Sequence, residues 1–209
     1  MNEERLRAAR FKRLRAAWNA GLNALVVKRA RQYLARYSGH GPVWHMLGVA
    51  LTDLARYSEA EQALWNALRL CPHHLRSIPL CSMGHFHDGR GELARAARWY
   101  ERAIDARPNH ASGYIYLGGV LARQGRLREA ERIHRRATEI CDEGCIDEAF
   151  LNLALVLRAQ ERFDEAAACL REAIRIDPEY ADAKVVLRDV ERCQRYVTRD
   201  LLRSRWRSG

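Results

Sequence analysis

Features typical of membrane proteins and secreted proteins are missing from this sequence of 209 residues. No apolar run approaches the roughly 18 residues that a membrane-spanning helix needs. Residues 1–18 are rich in arginine and lack the apolar segment of a secretory signal. The six cysteines show no paired spacing of the kind that a disulfide framework has. These absences predict a cytoplasmic protein with reduced thiols.

Motifs of common catalytic sites are also missing. The sequence has no glycine loop that would cradle a phosphate, no G-x-S-x-G nucleophile turn and no H-E-x-x-H pair. Carboxylates such as Glu59, Glu129 and Glu165 recur at matching places along the chain, where they favour the positive end of a helix dipole. Recurrence of this kind is typical of a structural role, so we predict no enzyme activity and no cofactor.

One arrangement of large and small residues is present four times. The first copy contains Trp44, Leu47, Gly48, Leu51, Ala60, Leu64, Ala67 and Pro72. Large residues at these spacings predict a first helix, small residues predict where a second helix crosses it closely, and the proline ends the second helix. Later copies begin at Leu80, Tyr114 and Phe150, and they place Gly84, Gly118 and Ala154 where the first copy has Gly48. The sequence therefore predicts helical hairpins with a period of 34 to 36 residues.

The period and the pattern together resemble the tetratricopeptide repeat (TPR) family, over roughly two-thirds of the chain. The resemblance implies an all-α fold, a right-handed superhelical solenoid of antiparallel helix hairpins. The predicted repeats span residues 41–74, 77–110, 111–144 and 147–180, and so fill residues 41–180. Asp142 stands where a proline would close the third copy, Ala154 replaces the glycine of the fourth, and two extra residues precede the second copy and again the fourth.

The segments on either side of the repeats are predicted to be helical as well. Residues 1–40 are expected to form a basic helical pair, with helices at 3–19 and 22–37, that is a degenerate repeat or an N-terminal cap. Residues 181–209 are expected to form a capping helix, roughly Ala181 to Leu202, with a basic tail. The residues expected to cover the last hairpin are Val185, Val186, Leu187 and Val190. The predicted helix caps are Ser58, Asn109 or Ser112, and Asp147.

In the TPR family the first helices of successive repeats line a concave groove that takes a peptide or helix of a partner. The predicted groove residues lie one place further round each first helix than its packing residues. They are His45, Val49, Thr52, Cys81, His85, Asp88, Ile115, Leu151, Leu155 and Arg158. If Ile115, Leu151 and Leu155 are exposed together, they form an apolar docking strip. The alternative is that the terminal helix or neighbouring side chains cover them.

Some TPR proteins hold the carboxylates of chaperone tails through a clamp of lysine, asparagine and arginine. Asn152 lies at a clamp-like place, but the matching positions of earlier helices hold His45, Val49, Cys81 and Ser82. The resemblance therefore implies a non-catalytic scaffold or adaptor in a larger assembly, without a chaperone clamp.

Positive charge is concentrated at the two ends of the chain. Residues 1–40 carry a net charge of +8 and residues 192–209 carry +5, whereas the segment between them carries −3. The basic residues at the ends are Arg5, Arg7, Lys12, Arg13, Arg15, Arg199, Arg203, Arg205 and Arg207. They could hold an acidic protein surface or nucleic acid, which makes a nucleic-acid-associated accessory protein the alternative function. They could also simply be solvated, because arginine outnumbers lysine 33 to 3 throughout the chain.

Histidines and cysteines cluster around the second repeat. His45, Cys81, His85 and Asp88 have the residue types of a zinc shell, with Cys81 and His85 one helical turn apart. Their spacing matches no established zinc motif, and Cys71, His73, His74 and His87 nearby are expected to lie in turns or between helices. Cys141 and Cys145 are spaced by four rather than by the three of a C-x-x-C redox motif. Packing or surface roles are the favoured interpretation of both groups.

Overall fold

The computed structural model describes the backbone of residues 3–140 and 145–207, and side chains as far as Val197. Within these ranges there are eleven α-helices and no strand. They are α1 (Glu3–Asn19), α2 (Asn23–Leu34), α3 (Gly41–Asp53), α4 (Tyr57–Leu70), α5 (Ser77–Gly89), α6 (Leu93–Ala106), α7 (Ala111–Arg123), α8 (Leu127–Glu139), α9 (Ile146–Ala159), α10 (Phe163–Ile176) and α11 (Ala181–Arg207). A 3₁₀ turn, His73–Leu75, lies between α4 and α5.

The helices belong to two compact units, Met1–Arg107 and Pro108–Gly209. The first unit contains the pairs α1/α2, α3/α4 and α5/α6, and the second contains α7/α8 and α9/α10 with α11 packed against α10. In the first unit, α2 packs against α3, and Leu14, Val26 and Ala30 share a core with Val43 and Leu51. The predicted all-α fold of helix hairpins is confirmed.

Small residues lie where the two helices of a hairpin cross. A Cβ atom on Gly48 would lie 2.6 Å from Cδ2 of Leu64, and one on Gly84 would lie 2.3 Å from Cε1 of Tyr100. In the fourth repeat, Ala154 and Leu170 hold the equivalent positions, and both are fully buried. Because a Cβ atom cannot approach another heavy atom this closely, the predicted close crossings at Gly48 and Gly84 are confirmed.

The turns within the hairpins share one left-handed residue. The backbone angle φ is +65° at Gly21, +74° at Gly91 and +75° at Gly125. Ala55 and Glu161 hold the same place in the other two hairpins, with φ of 56° and 61°. A residue with a Cβ atom is strained in this conformation, so these two turns are maintained by the packing of the helices around them.

The predicted helix caps are wrong. Within the described residues, none of the helices α2 to α10 has a side-chain hydrogen bond at its N-cap. Three second helices instead follow an arginine that pairs with a glutamate three residues later, namely Arg56 with Glu59 at 2.5 Å, Arg126 with Glu129 at 2.6 Å and Arg162 with Glu165 at 2.6 Å. The glutamate complements the helix dipole, and the arginine ties it to the turn. At α4 this ion pair takes the place of the Ser58 cap that we expected.

The last helix is longer than predicted, because α11 continues to Arg207. Val190 is fully buried, and Val186 and Leu187 pack against the core that α9 and α10 form. Val185 is 54% exposed, so the prediction that it covers the last hairpin is wrong. Val185 and Val190 are five residues apart, which is not a whole number of helical turns, so the two side chains lie on different sides of α11.

Candidate partner-binding surfaces

His45 on α3 is held by a hydrogen-bond chain to α5. Its Nε2 atom lies 2.8 Å from Oγ of Ser82, whose hydroxyl donates to the backbone oxygen of Ile78 at 3.2 Å. Burial lowers the pKa of His45 to about 4, so the ring is neutral at physiological pH. A neutral ring that donates from Nε2 completes this chain. His45 therefore connects two first helices, and it is not a freely exposed groove residue.

An apolar pocket opens beside His45 in the first unit. It has a volume of about 120 Å³, and its lining includes Pro42, His45, Ala67, Cys71, Leu75 and Ile78. Leu75 is 39% exposed and Ile78 is 46% exposed, so two large apolar side chains lie in contact with solvent at its edge. Neither Leu75 nor Ile78 is among the groove residues predicted from the sequence. The available signal was the two-residue lengthening before the second repeat, where the 3₁₀ turn His73–Leu75 now lies.

The other predicted groove residues of the first unit differ in exposure. Val49, Thr52, Cys81 and Asp88 are half-buried, and His85 is exposed. The hydroxyl of Thr52 donates to the backbone oxygen of Gly48 at 2.9 Å. A hydrogen bond of 3.0 Å joins Nδ1 of His85 to the hydroxyl of Tyr100. This surface is polar, with the apolar pocket near its His45 end.

The candidate metal ligands are not brought together. Among the described residues, no group of three or more histidine, cysteine or acidic side chains has the arrangement of a metal site. Nε2 of His45 contacts Ser82, and His87 is buried with Nδ1 2.8 Å from Glu92. Burial raises the pKa of the Cys81 thiol to about 12, which disfavours the thiolate that a metal would need.

The described cysteines are free thiols, and they are Cys71, Cys81, Cys145, Cys169 and Cys193. Cys141, the candidate partner of Cys145, lies outside the described residues, as does Asp142.

In the second unit the predicted exposure of the apolar strip is wrong. Ile115 and Leu151 are buried, and Leu155 is half-buried. Leu151 and Leu155 belong to a core that also contains Val186 and Val190 of α11. The terminal helix therefore shares their core, as the alternative interpretation had it. Arg158 of α9 is also engaged, because its Nη1 atom donates to Asp189 of α11 at 2.8 Å.

Asn152, the one clamp-like residue, donates to the backbone oxygen of Glu148 at 3.0 Å. This contact lies within α9.

At the N-terminal end, one of the five basic residues is part of an aromatic cluster. Nε of Arg7 donates to the hydroxyl of Tyr33 at 3.2 Å, and its guanidinium lies 5.3 Å from the centre of the Tyr37 ring. Arg5, Lys12, Arg13 and Arg15 are exposed on α1. The side chains of Arg199, Arg203, Arg205 and Arg207 lie outside the described residues. Binding by the basic ends stays a prediction.

None of the helices in the described part of the chain has the length and apolar character needed to cross a membrane.

Two family models match the sequence, and both are described as tetratricopeptide repeat. One covers residues 45–72 and the other covers residues 109–179. Human tetratricopeptide repeat protein 7B is 27% identical over 135 residues, which is 65% of this chain and 16% of that protein. This chain therefore matches only a small part of that relative.

Solved structures share the arrangement of helices. TTC0263, a TPR protein of Thermus thermophilus, is 18% identical with a TM-score of 0.66, and the match covers 88% of this chain and 98% of that one. YrrB, described as a TPR protein with an unusual peptide-binding site, is 20% identical with a TM-score of 0.58 over 83% and 87% of the two chains. MamA is 17% identical with a TM-score of 0.62 over 79% and 95%. At these identities the structures show the fold, and the two family models show tetratricopeptide repeats at residues 45–72 and 109–179 of this chain.

Proposed function

We propose that this protein is a non-catalytic scaffold that binds a segment of another protein, and that the pocket beside His45 takes an apolar side chain of that segment. One observation carries the proposal, namely an open apolar pocket with two exposed aliphatic side chains, Leu75 and Ile78, at its edge. The description of YrrB as peptide-binding supports this class of function for the fold.

The size of the pocket indicates what it binds. Apolar cavities of about 150 Å³ accept a benzene molecule. A pocket of about 120 Å³ therefore suits a branched aliphatic side chain such as leucine. The polar residues of α3 and α5, among them Thr52, Cys81, His85 and Asp88, would contact the rest of the partner segment. On this proposal, recognition combines one apolar anchor with polar contacts along the first helices, and it serves assembly with other proteins.

The test is selection of binding peptides from a random display library on the full-length protein. We expect the selected peptides to share one aliphatic position and to lose at least about tenfold in affinity for a Leu75→Glu/Ile78→Glu variant, as truncation of an anchor pocket does. The matched control is Ile176→Glu, which changes a similarly exposed aliphatic residue in the second unit. Peptides that bind both variants as tightly as the unchanged protein would refute the role of the pocket. A failure to select any peptide would count against the scaffold function itself.

A further inference from the structure

The outward face of α11 carries four positive side chains in a row. We name these residues, Lys184, Arg188, Arg192 and Arg195, the α11 stripe. All four are exposed, and none has an ion-pair partner among the residues whose side chains are described. Residues spaced by four, four and three lie on one side of an α-helix. At 1.5 Å of rise per residue the stripe is about 16 Å long, with successive charges about 6, 6 and 4.5 Å apart along the axis.

The acidic residues of α11 whose side chains are described do not neutralise this stripe. Asp189 accepts a hydrogen bond from Arg158 of α9 at 2.8 Å, and Glu191 accepts one from Arg171 of α10 at 3.0 Å. Both carboxylates are thus paired with the hairpin that α11 covers. Asp182 lies in the first turn of the helix, before the stripe begins. The inward side of α11 is therefore held by apolar packing and ion pairs, whereas its outward side has unbalanced positive charge.

Two exposed apolar side chains accompany the charges. Val185 is 54% exposed and Tyr196 is 63% exposed. Val185 lies three residues before Arg188, and Tyr196 lies four residues after Arg192, so each is a neighbour of the stripe on the helix surface. Their eleven-residue separation is close to three turns, which places both on the same side. The outward face thus offers apolar contact near both ends of a positive row.

We propose that the α11 stripe docks an acidic amphipathic helix of a partner protein. Glutamates placed every four residues on such a helix repeat at about 6 Å, which matches the spacing of Lys184, Arg188 and Arg192 in the stripe. Apolar residues beside those glutamates would cover Val185 and Tyr196. A nucleic-acid backbone supplies the negative charge but no aliphatic partner for Val185, so the acidic helix suits this face better. The surface is on the second unit, and the proposal is independent of the pocket beside His45.

The experiment uses a fluorescent helical peptide of about 20 residues, with glutamates every four residues on one face and leucines beside them. A second peptide has the same composition with its glutamates distributed around the helix. We expect the full-length protein to bind the first peptide at least about tenfold more tightly than the second, and to lose that preference in Arg188→Glu/Arg192→Glu. The preference should remain in Arg128→Glu/Arg132→Glu, which makes the same charge change on exposed arginines of α8.

Three results would overturn the proposal. Equal binding of the two peptides would show that the spacing of the charges does not matter. Equal loss of the preference for the first peptide in the α11 and α8 variants would show that binding depends on net charge and not on the position of the charges. If a DNA duplex of similar length bound more tightly than the first peptide, and lost that binding only in the α11 variant, the stripe would be a nucleic-acid surface. Far-ultraviolet circular dichroism of each variant checks that it remains folded.

Discussion

Gly118 and His134 fit against each other at the crossing of α7 and α8. A Cβ atom on Gly118 would lie 2.5 Å from Cε1 of the His134 ring. His134 is 1% exposed, and its Nδ1 atom has no hydrogen-bond partner within the described residues. The same two positions hold Gly48 with Leu64 and Ala154 with Leu170 in other repeats. A polar ring thus occupies a place where the rest of the chain uses leucine or tyrosine.

Substitution of Gly118 by alanine should destabilise the second unit. The added methyl group must displace the buried ring, and such overpacking costs about 1–3 kcal/mol in the free energy of unfolding. Gly119 gives the matched control, because nothing lies within 4 Å of its Cβ position. Gly119→Ala should stabilise the helix by about 0.5–1 kcal/mol. Urea denaturation of both variants measures the difference, and equal stabilities would show that the crossing is not tight.

His134 should make stability depend on pH. Burial lowers its pKa to about 4 from an ordinary value of 6.5, so the folded state keeps it neutral while the unfolded chain protonates it. The free energy of unfolding is then unaffected by this group above pH 6.5 and falls as the pH drops towards 4, by about 3 kcal/mol in total. His45, whose pKa burial also lowers to about 4, adds to the same slope.

The variant His134→Leu tests this contribution. It introduces the residue found at positions 64 and 170, so it should unfold at higher urea concentration and show a shallower slope of stability between pH 6.5 and pH 4. His74→Leu changes an exposed histidine and should keep the slope. An unchanged pH dependence in His134→Leu would mean that the ring is protonated, or solvated, inside the folded protein.

The spacing of large and small residues predicted the hairpins and the close crossings correctly, because helix packing depends on side-chain size at fixed intervals. The groove residues were harder to predict. Leu151 was expected to be exposed, yet it shares a core with Val190 of α11, and the pattern of its own repeat does not show where that helix packs. The pocket edge at Leu75 and Ile78 depends on a local lengthening that departs from the repeat. A repeat pattern predicts what its copies share, whereas the surfaces that distinguish this chain lie where the copies differ.

The left-handed residues of the hairpin turns should differ in their response to substitution. Gly91→Ala adds a Cβ atom at a φ of +74° and should cost about 1 kcal/mol, although nothing lies close enough to clash. Gly89→Ala, two residues earlier and at the end of α5, should stabilise the protein slightly, by about 0.5 kcal/mol. Ala55→Gly is the reverse change, and it should raise stability by relieving strain at a φ of 56°. Thermal unfolding compares the three variants, and a stable Gly91→Ala would show that the turn can adopt another conformation.

A charged network connects α8 to α10 in the second unit. Glu131 accepts hydrogen bonds from Arg135 of its own helix at 2.9 Å and from Arg162, which precedes α10, at 2.7 Å. Only 15% of the Glu131 side chain is exposed, so solvent screens these pairs less than it screens an ordinary surface pair. Arg135 also reaches Glu165 at 3.1 Å, so the network joins two successive hairpins.

Glu131→Gln should therefore cost about 1–2 kcal/mol, because it weakens two charge-assisted hydrogen bonds. Glu139→Gln is the matched control, since that glutamate is 61% exposed and its pair with Arg136 lies within α8. An exposed pair of this kind contributes at most about 0.5 kcal/mol. Urea denaturation at low salt and at 1 M salt separates the two, because the larger loss at Glu131 should largely persist at high salt, whereas the small loss at the exposed Glu139 should disappear. Equal losses for the two variants would show that the connection between α8 and α10 depends on apolar packing alone.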